Sequence, residues 1–296
     1  MNGIVVLDKP RDITSFQAAR IVGRLFGREK TGHAGTLDPM ATGVLPVMVG
    51  RATKLLQFLP ETGKEYEAEA LFGIRTDTAD ADGVVLETGG RIPEEEELRD
   101  ALRSFVGKSM QTPPMFSAIK QNGVPLYELA RKGQTVDRQA REIEIASAEL
   151  VSYGDGKAGF RVACSAGTYI RTLAEDLAAK CGTICHLTAL RRTAACGFSI
   201  ESAVSPEELR NAAERGEIEG YLTSPDRLFS ELPEVIVTGR FVKMFMNGLD
   251  FAQSRIGTDI PLQTRVRVYE GVDMLGIAEI NGEGMLHKLW QSRTAE

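Results

Sequence analysis

From Glu65 to Phe72 the chain alternates: Tyr66, Ala68, Ala70 and Phe72 fall on one side, and Glu65, Glu67, Glu69 and Leu71 on the other. A period of two is that of a β-strand, and here it gives the strand one polar side. Residues 3–8, 44–49, 141–151, 160–164 and 187–198 also read as strands, with Ile143 and Ile145 alternating against Glu142 and Glu144. Pro46 removes a ladder donor, so the 44–49 strand is expected at an edge or a bulge. Asn122-Gly123 marks a hairpin turn.

Helical signals lie between these strands. Thr14 or Ser15 can cap a helix with Phe16, Ala19, Val22 and Phe26 at its apolar positions and Gly27 as its stop. Residues 52–59 look helical. Pro93 opens a helix whose inner face holds Leu98, Leu102 and Phe105, with Gly107 as cap and the acidic block Glu94–Glu97 at its start. A short helix over 126–132 is ended by Gly133. Thr168 is expected to cap a helix running to about 180, with Gly182 after it, and a further helix spans 206–214. A second unit begins near Pro233, with a strand at 235–237, a short helix after Thr238, and strands at 265–269 and 274–280.

This order lacks the regular strand–helix alternation of a doubly wound sheet, so the fold class is α+β with a small, mostly β unit at the C-terminus. The 296 residues, 43% hydrophobic, suffice for one large domain with a small appendage. No apolar run reaches the length of a membrane span, and residues 1–8 have neither the basic region nor the apolar region of a signal peptide. Four cysteines are too sparse for a disulfide framework. These features lead us to expect a cytoplasmic protein.

The densest chemistry lies in His33-Ala-Gly-Thr-Leu-Asp38, followed at once by Pro39. Pro39 disfavours helical dihedrals at Asp38 and so presents its carboxylate from an extended loop. Gly35 permits a positive φ or a close approach. The spacing alone favours an Asx-type turn with no chemistry. Other signals fail. Asp80, Asp82 and Gly83 resemble the middle of a calcium loop, but Thr78 and Gly89 stand where its first and last acids belong. Gly107-Lys108-Ser109 resembles the end of a phosphate loop, but Leu102 replaces its first glycine. Cys181, Cys185 and His186 have no second close pair to complete a zinc site. His33, His186 and His287 form no triad pattern. A net charge of −6 argues against a nucleic-acid partner, yet residues 112–141 are locally basic.

The window Lys30 to Lys54, KTGHAGTLDPMATGVLPVMVGRATK, closely resembles the catalytic motif of the TruB family, the bacterial tRNA pseudouridine-55 synthases. Further matches follow in order: Gly3 to Pro10, Lys64-Glu65-Tyr66, Thr76-Asp77-Thr78 through Asp82-Gly83, Pro113 to Lys120, Cys164 to Arg171, and Leu187 to Arg192. The resemblance covers roughly the first two hundred residues. It implies the pseudouridine synthase fold, a central mixed and largely antiparallel sheet flanked by helices and loops. A catalytic domain would span 1–231, with a thumb-like RNA-binding insertion at about 112–141, and a C-terminal PUA-like RNA-binding domain would span 232–296.

The implied reaction detaches one uridine base in the T arm of transfer RNA at N1, rotates it and rejoins it through C5. It needs no cofactor or metal. Asp38 matches the catalytic aspartate, which either attacks C1′ or removes a proton from C2′. Arg171 matches an active-site arginine that pairs with it. Tyr66 matches a tyrosine lying against the target base and a candidate base for the C5 proton, although a phenol needs help to act so at neutral pH. Tyr169 and Leu190 match pocket-lining positions. His33 matches the residue that fills the space left by the flipped base. Lys120, Arg131 and Lys132, on the thumb, are candidate phosphate contacts.

The resemblance further implies a monomer with tRNA, through its T stem-loop, as partner and no guide RNA or membrane. A tRNA-folding chaperone is an additional role, and a guide-dependent catalytic subunit an alternative one. Activity of the purified chain on bare transcript separates the last of these from a stand-alone enzyme.

Overall fold

The computed structural model describes residues 2–60 and 62–292. Its largest element is a nine-stranded sheet. Seven strands run in the order Gly3–Lys9, Thr42–Val49, Cys185–Ala195, Lys64–Phe72, Lys157–Cys164, Arg141–Gly154 and Gly107–Gln111. Thr31–His33 pairs with Thr42–Val49, and Phe198–Ser199 with Cys185–Ala195. Every pairing is antiparallel except one, where Arg191 and Arg192 lie parallel to Thr42 and Gly43. The fold is thus α+β with a mixed, largely antiparallel sheet.

The alternation at 65–72 divides this sheet into two unlike faces. Tyr66, Ala68, Ala70 and Phe72 enter a core with Ala18, Ala19 and Val22 of the helix Ser15–Leu25, Leu98 and Leu102 of Glu95–Arg103, Leu173 and Leu177 of Ile170–Lys180, and Leu209 of Pro206–Glu214. On the opposite face Glu67 pairs with Arg161 at 2.7 Å and Glu69 with Lys157 at 2.9 Å. At the sheet's other end both faces are covered. Val5 and Leu7 join the helical core, while Ile4 and Val6 pack with Val44, Phe198, Leu228, Ile277 and Trp290.

Trp290 and Ile277 belong to a second, five-stranded sheet, ordered Glu234–Ile236, Thr264–Glu270, Asp273–Ile280, Met285–Gln291 and Phe251–Ala252. The helix Arg240–Asn247 packs on it through Phe245 and Met246. The Trp290 indole N–H donates to the Arg51 carbonyl at 3.0 Å, joining the two sheets by a directed contact as well as by apolar burial.

Several sequence expectations need correction. Phe16 is 64% exposed, and Ala18 takes the core position instead, beneath a capping box of Thr14 and Gln17. Thr168 does not cap the Ile170–Lys180 helix. Tyr169 is the N-cap residue, and the Gln111 side chain meets its backbone on both sides, accepting from the N–H at 2.8 Å and donating to the carbonyl at 3.1 Å. Pro46 does lie at a local edge, although its strand is interior to the sheet. Its strand is paired with Gly3–Lys9 at 43–49, but on its other flank only at 42–43 and 47–49. In a strand one residue's N–H and C=O point to the same side, and the Pro46 carbonyl accepts from Ala34 across that gap at 2.9 Å. The missing N–H therefore falls where no strand waits for it. The strands Gly107–Gln111 and Met285–Gln291 and the hairpin Ile74–Thr76/Val85–Thr88 carried too weak an alternation to be read.

The parallel contact depends on one glycine. Gly43 has φ +102°, and a Cβ there would come within 2.2 Å of the Arg192 carbonyl oxygen, so only glycine lets the two strands meet. Gly43→Ala is expected to cost about 1–3 kcal/mol for the backbone conformation alone, with more from the collision. Urea unfolding checks this, and a variant as stable as the parent would mean that the strands can separate freely here.

Candidate active site

The His33–Pro39 segment is fastened from beneath. The buried Ser15 hydroxyl donates to the Leu37 carbonyl at 2.9 Å and accepts from the Leu37 N–H at 2.8 Å. Lys9, fully buried, donates to the carbonyls of Pro10, Ile13 and Pro39 at 2.8, 2.7 and 3.2 Å. Burial brings its amine down to about 8, against the opposing pull of the Asp38 charge. The Asp12 N–H donates to the Pro39 carbonyl at 2.9 Å and the Ala41 N–H to that of Asp38 at 3.1 Å. Asp38 thus sits in an irregular loop whose backbone is held on both sides, and its carboxylate is partly exposed.

That carboxylate meets Arg171, in the first turn of Ile170–Lys180 and only 3% exposed, with Nε 2.9 Å from Oδ2. The rest of the guanidinium is also held. Nη1 donates to the Thr78 carbonyl at 2.8 Å, Nη2 to the Phe116 carbonyl at 2.7 Å, and the Asp80 carboxylate lies 3.7 Å from Nε. Asp80 itself accepts from the Thr78 hydroxyl at 2.6 Å and the Asp82 N–H at 3.1 Å. Burial pushes the Asp80 carboxyl up, while the Thr78 hydrogen bond and the Arg171 charge draw it back. The planar fork of arginine serves four partners at fixed angles, which a lysine ammonium cannot do.

Asp38, Tyr66, Tyr169, Arg171 and Leu190 line one cavity of about 320 Å³, closed on one side by Ser117–Ile119. Burial pushes the Tyr66 phenol up, with the Arg192 charge acting against it, and burial likewise raises Tyr169. These five sequence-predicted residues come together. His33 does not line the cavity. It ends the short strand Thr31–His33, its Nε2 stands 3.3 Å from the Thr36 hydroxyl, and burial lowers its imidazole below the ordinary value. Lys120, Arg131 and Lys132 also lie outside the lining, on the exposed segment that follows Ser117–Ile119, with Arg131 stacked 5.4 Å from the Tyr127 ring.

Sequence reasoning passed over Lys9, Lys64, Asp80 and Arg192. Asp80 was weighed only as part of a failed calcium loop, and its neighbours had already matched the family pattern. Arg192 is fully buried, donating to the carbonyls of Val44 at 2.8 Å and Gly35 at 2.9 Å, so it ties the Asp38 loop to the sheet. Among the described residues no group of three or more His, Cys, Asp or Glu is placed to hold a metal ion.

Comparison with known proteins places the chain among relatives. Residues 23–170 match the model of the TruB family pseudouridylate synthase N-terminal domain. The chain is 40% identical over 299 positions to tRNA pseudouridine synthase B of Geobacter sulfurreducens, covering 99% of this chain and 97% of that protein. It is 43% identical over 289 positions to the protein of that name from Burkholderia mallei, covering 97% and 95%. Among solved structures, a Cbf5–Nop10–Gar1 complex superposes with a TM-score of 0.69 at 24% identity, covering 94% of this chain and 78% of that one, a likeness of fold.

Arg171→Met would leave the Asp80 carboxylate, 6% exposed, without its cation. Breaking a buried pair costs about 3–5 kcal/mol. Thermal or urea unfolding should show a loss of that order, and stability within about 1 kcal/mol of the parent would mean that Asp80 does not depend on Arg171.

Proposed function

The chain belongs to the TruB family of pseudouridylate synthases, and from that premise we propose that it isomerises a single uridine, position 55 in the T arm of transfer RNA, to pseudouridine. The observation that carries the reading is the Arg171-held carboxylate of Asp38 in a cavity whose volume lies at the lower end of ligand pockets. A uridine stacked in a folded loop must leave its stack to enter such a cavity. Asp38 then works at the ribose, by attack at C1′ or by proton removal at C2′, while Arg171 and Asp80 keep its carboxylate aimed. Breaking the N-glycosidic bond frees the base, which turns until C5 faces C1′, and the proton displaced from C5 must be taken up as the new bond forms. Tyr66 lies against the base and is the candidate acceptor of that proton. Burial opposes its phenolate form, so this role draws on the Arg192 charge that acts the other way. A proton is returned to N1, so that none is gained or lost overall. Tyr169 and Leu190 confine the ring as it turns, and His33 fills the place that the base has left. All atoms of the substrate are retained in the product, so the reaction has no call on an oxidant, a group donor or a cofactor.

In this reading residues 1–231 are the catalytic domain, residues 112–141 are a thumb that closes on RNA through Lys120, Arg131 and Lys132, and residues 232–296 are a PUA-like RNA-binding domain. The protein acts as a cytoplasmic monomer without guide RNA, and opening the tRNA for base flipping gives it a chaperone role as well. The absence of a helix long and apolar enough to span a membrane among the described residues is compatible with that location.

Pseudouridine mapping on an unmodified tRNA transcript tests the assignment. The purified chain should produce one pseudouridine, in the T loop, and Asp38→Asn should produce none. No product from the parent protein despite tight binding would point to a chaperone or a missing guide. Affinity should also fall steeply between about 50 and 200 mM salt, and a salt-independent affinity would rule out an interface dominated by phosphates.

A further inference from the structure

The cross-strand register sets Arg192 directly opposite Tyr66, and Lys64 lies two positions along from Tyr66 on the same face. Lys64 lines the cavity with Asp38 and Tyr66. A Cβ built on Gly35 would lie 3.3 Å from Arg192 Nη1 and 3.5 Å from Lys64 Nζ, so the two cations meet beneath the same glycine of the Asp38 loop. Among the described residues neither cation is answered by an acid there. Arg192 Nη1 is buried without a hydrogen-bond partner, and Lys64 makes no ion pair or hydrogen bond with any described residue. Burial and the Arg192 charge both hold the Lys64 amine below its ordinary value. Asp38, the acid of this cavity, is engaged by Arg171.

Two neighbouring cations withdrawn from water without an anion are costly. No acid among the described residues forms an ion pair with either of them. Gly35, at φ +74°, leaves the approach to the pair open where a side chain would crowd it. Lys64 also lines an open groove of about 860 Å³ at the same end of the sheet. Lys64 thus lines both the cavity and the groove, two residues along the strand from Tyr66. On the functional reading above, a nucleotide with its base against Tyr66 would carry a phosphate toward the groove side of the cavity.

We propose that Lys64, backed by the buried Arg192 and uncovered by Gly35, binds a backbone phosphodiester adjoining the nucleotide whose base enters the cavity. The inference rests on the functional reading above and adds to it a phosphate-binding residue inside the catalytic cavity, separate from the thumb.

The test measures binding of a T-arm RNA hairpin in an Asp38→Asn background, where turnover is blocked, with Lys64, Lys64→Arg or Lys64→Met. Each protein meets natural RNA and RNA carrying one uncharged methylphosphonate linkage, 5′ or 3′ of the target uridine. Lys64→Met should bind natural RNA about ten- to a hundredfold more weakly. Its plot of log affinity against log salt should be shallower by about 0.7–0.9, and Lys64→Arg should retain the parent slope. One methylphosphonate position should weaken the Lys64 protein by a similar factor and leave Lys64→Met unaffected, because both changes remove the same contact. Losses that multiply, or an unchanged salt slope in Lys64→Met of parental thermal stability, would overturn the proposal. Undiminished affinity with a reduced single-turnover rate, measured with Asp38 intact, would also overturn it and place the amine on a base oxygen. If the parent protein binds but forms no pseudouridine, the functional reading fails, while the phosphate comparison is still decided by the binding data.

Discussion

The guanidinium of Arg171 is the point on which this structure turns. It touches the Asp38 loop, the Thr78–Asp80 turn and the carbonyl of Phe116 at once. These segments lie far apart in sequence, and none of them belongs to the regular sheet. A planar cation with all its donors directed is among the few side chains able to gather three irregular segments without leaving a buried polar group unanswered. The carboxylate offered to a substrate and the loop that roofs the cavity are therefore fixed by the same group. A shift of the roof at Phe116 is felt at Asp38 through one side chain.

Beneath that cluster the sheet does two jobs on its two faces. The helical face supplies rigidity, since Tyr66 is positioned by the same run of inward residues that fills the core. The outer face is charged at the Glu67 and Glu69 strand and apolar at the Ile4 and Val6 strand, where the second sheet docks. Hydrophobic burial thus selects where the C-terminal unit sits, and the ion-paired stretch beside it offers no comparable apolar surface.

What the sequence made legible follows from how local each signal is. The alternation at 65–72, the turn at Asn122-Gly123 and the proline-opened helix at 206–214 depend on near neighbours, and each formed as expected. Asp38 was legible because a whole motif surrounds it. Arg192 and Lys64 were not, because their meaning arises across strands: the register puts one opposite Tyr66 and brings both to Gly35, and no spacing along the chain encodes that. The Thr168 cap failed for the same reason. Gln111, 58 residues away, supplies both hydrogen bonds at Tyr169, so the local capping residue is not needed. Phe16 misled because its spacing fits the apolar stripe, whereas the small Ala18 lets the helix lie close to the sheet.

The indole that joins the two sheets is the chain's only tryptophan. It is buried in the joint itself, between Ile277 on one side and the first strands of the large sheet on the other. Excited at the red edge of its absorption, beyond the reach of the six tyrosines, the protein therefore emits from this one seam. A separation of the two bodies would wet that ring and redden its light, while rearrangements confined to the cavity would leave its emission unchanged. The molecule has its own optical strain gauge, mounted where its halves meet.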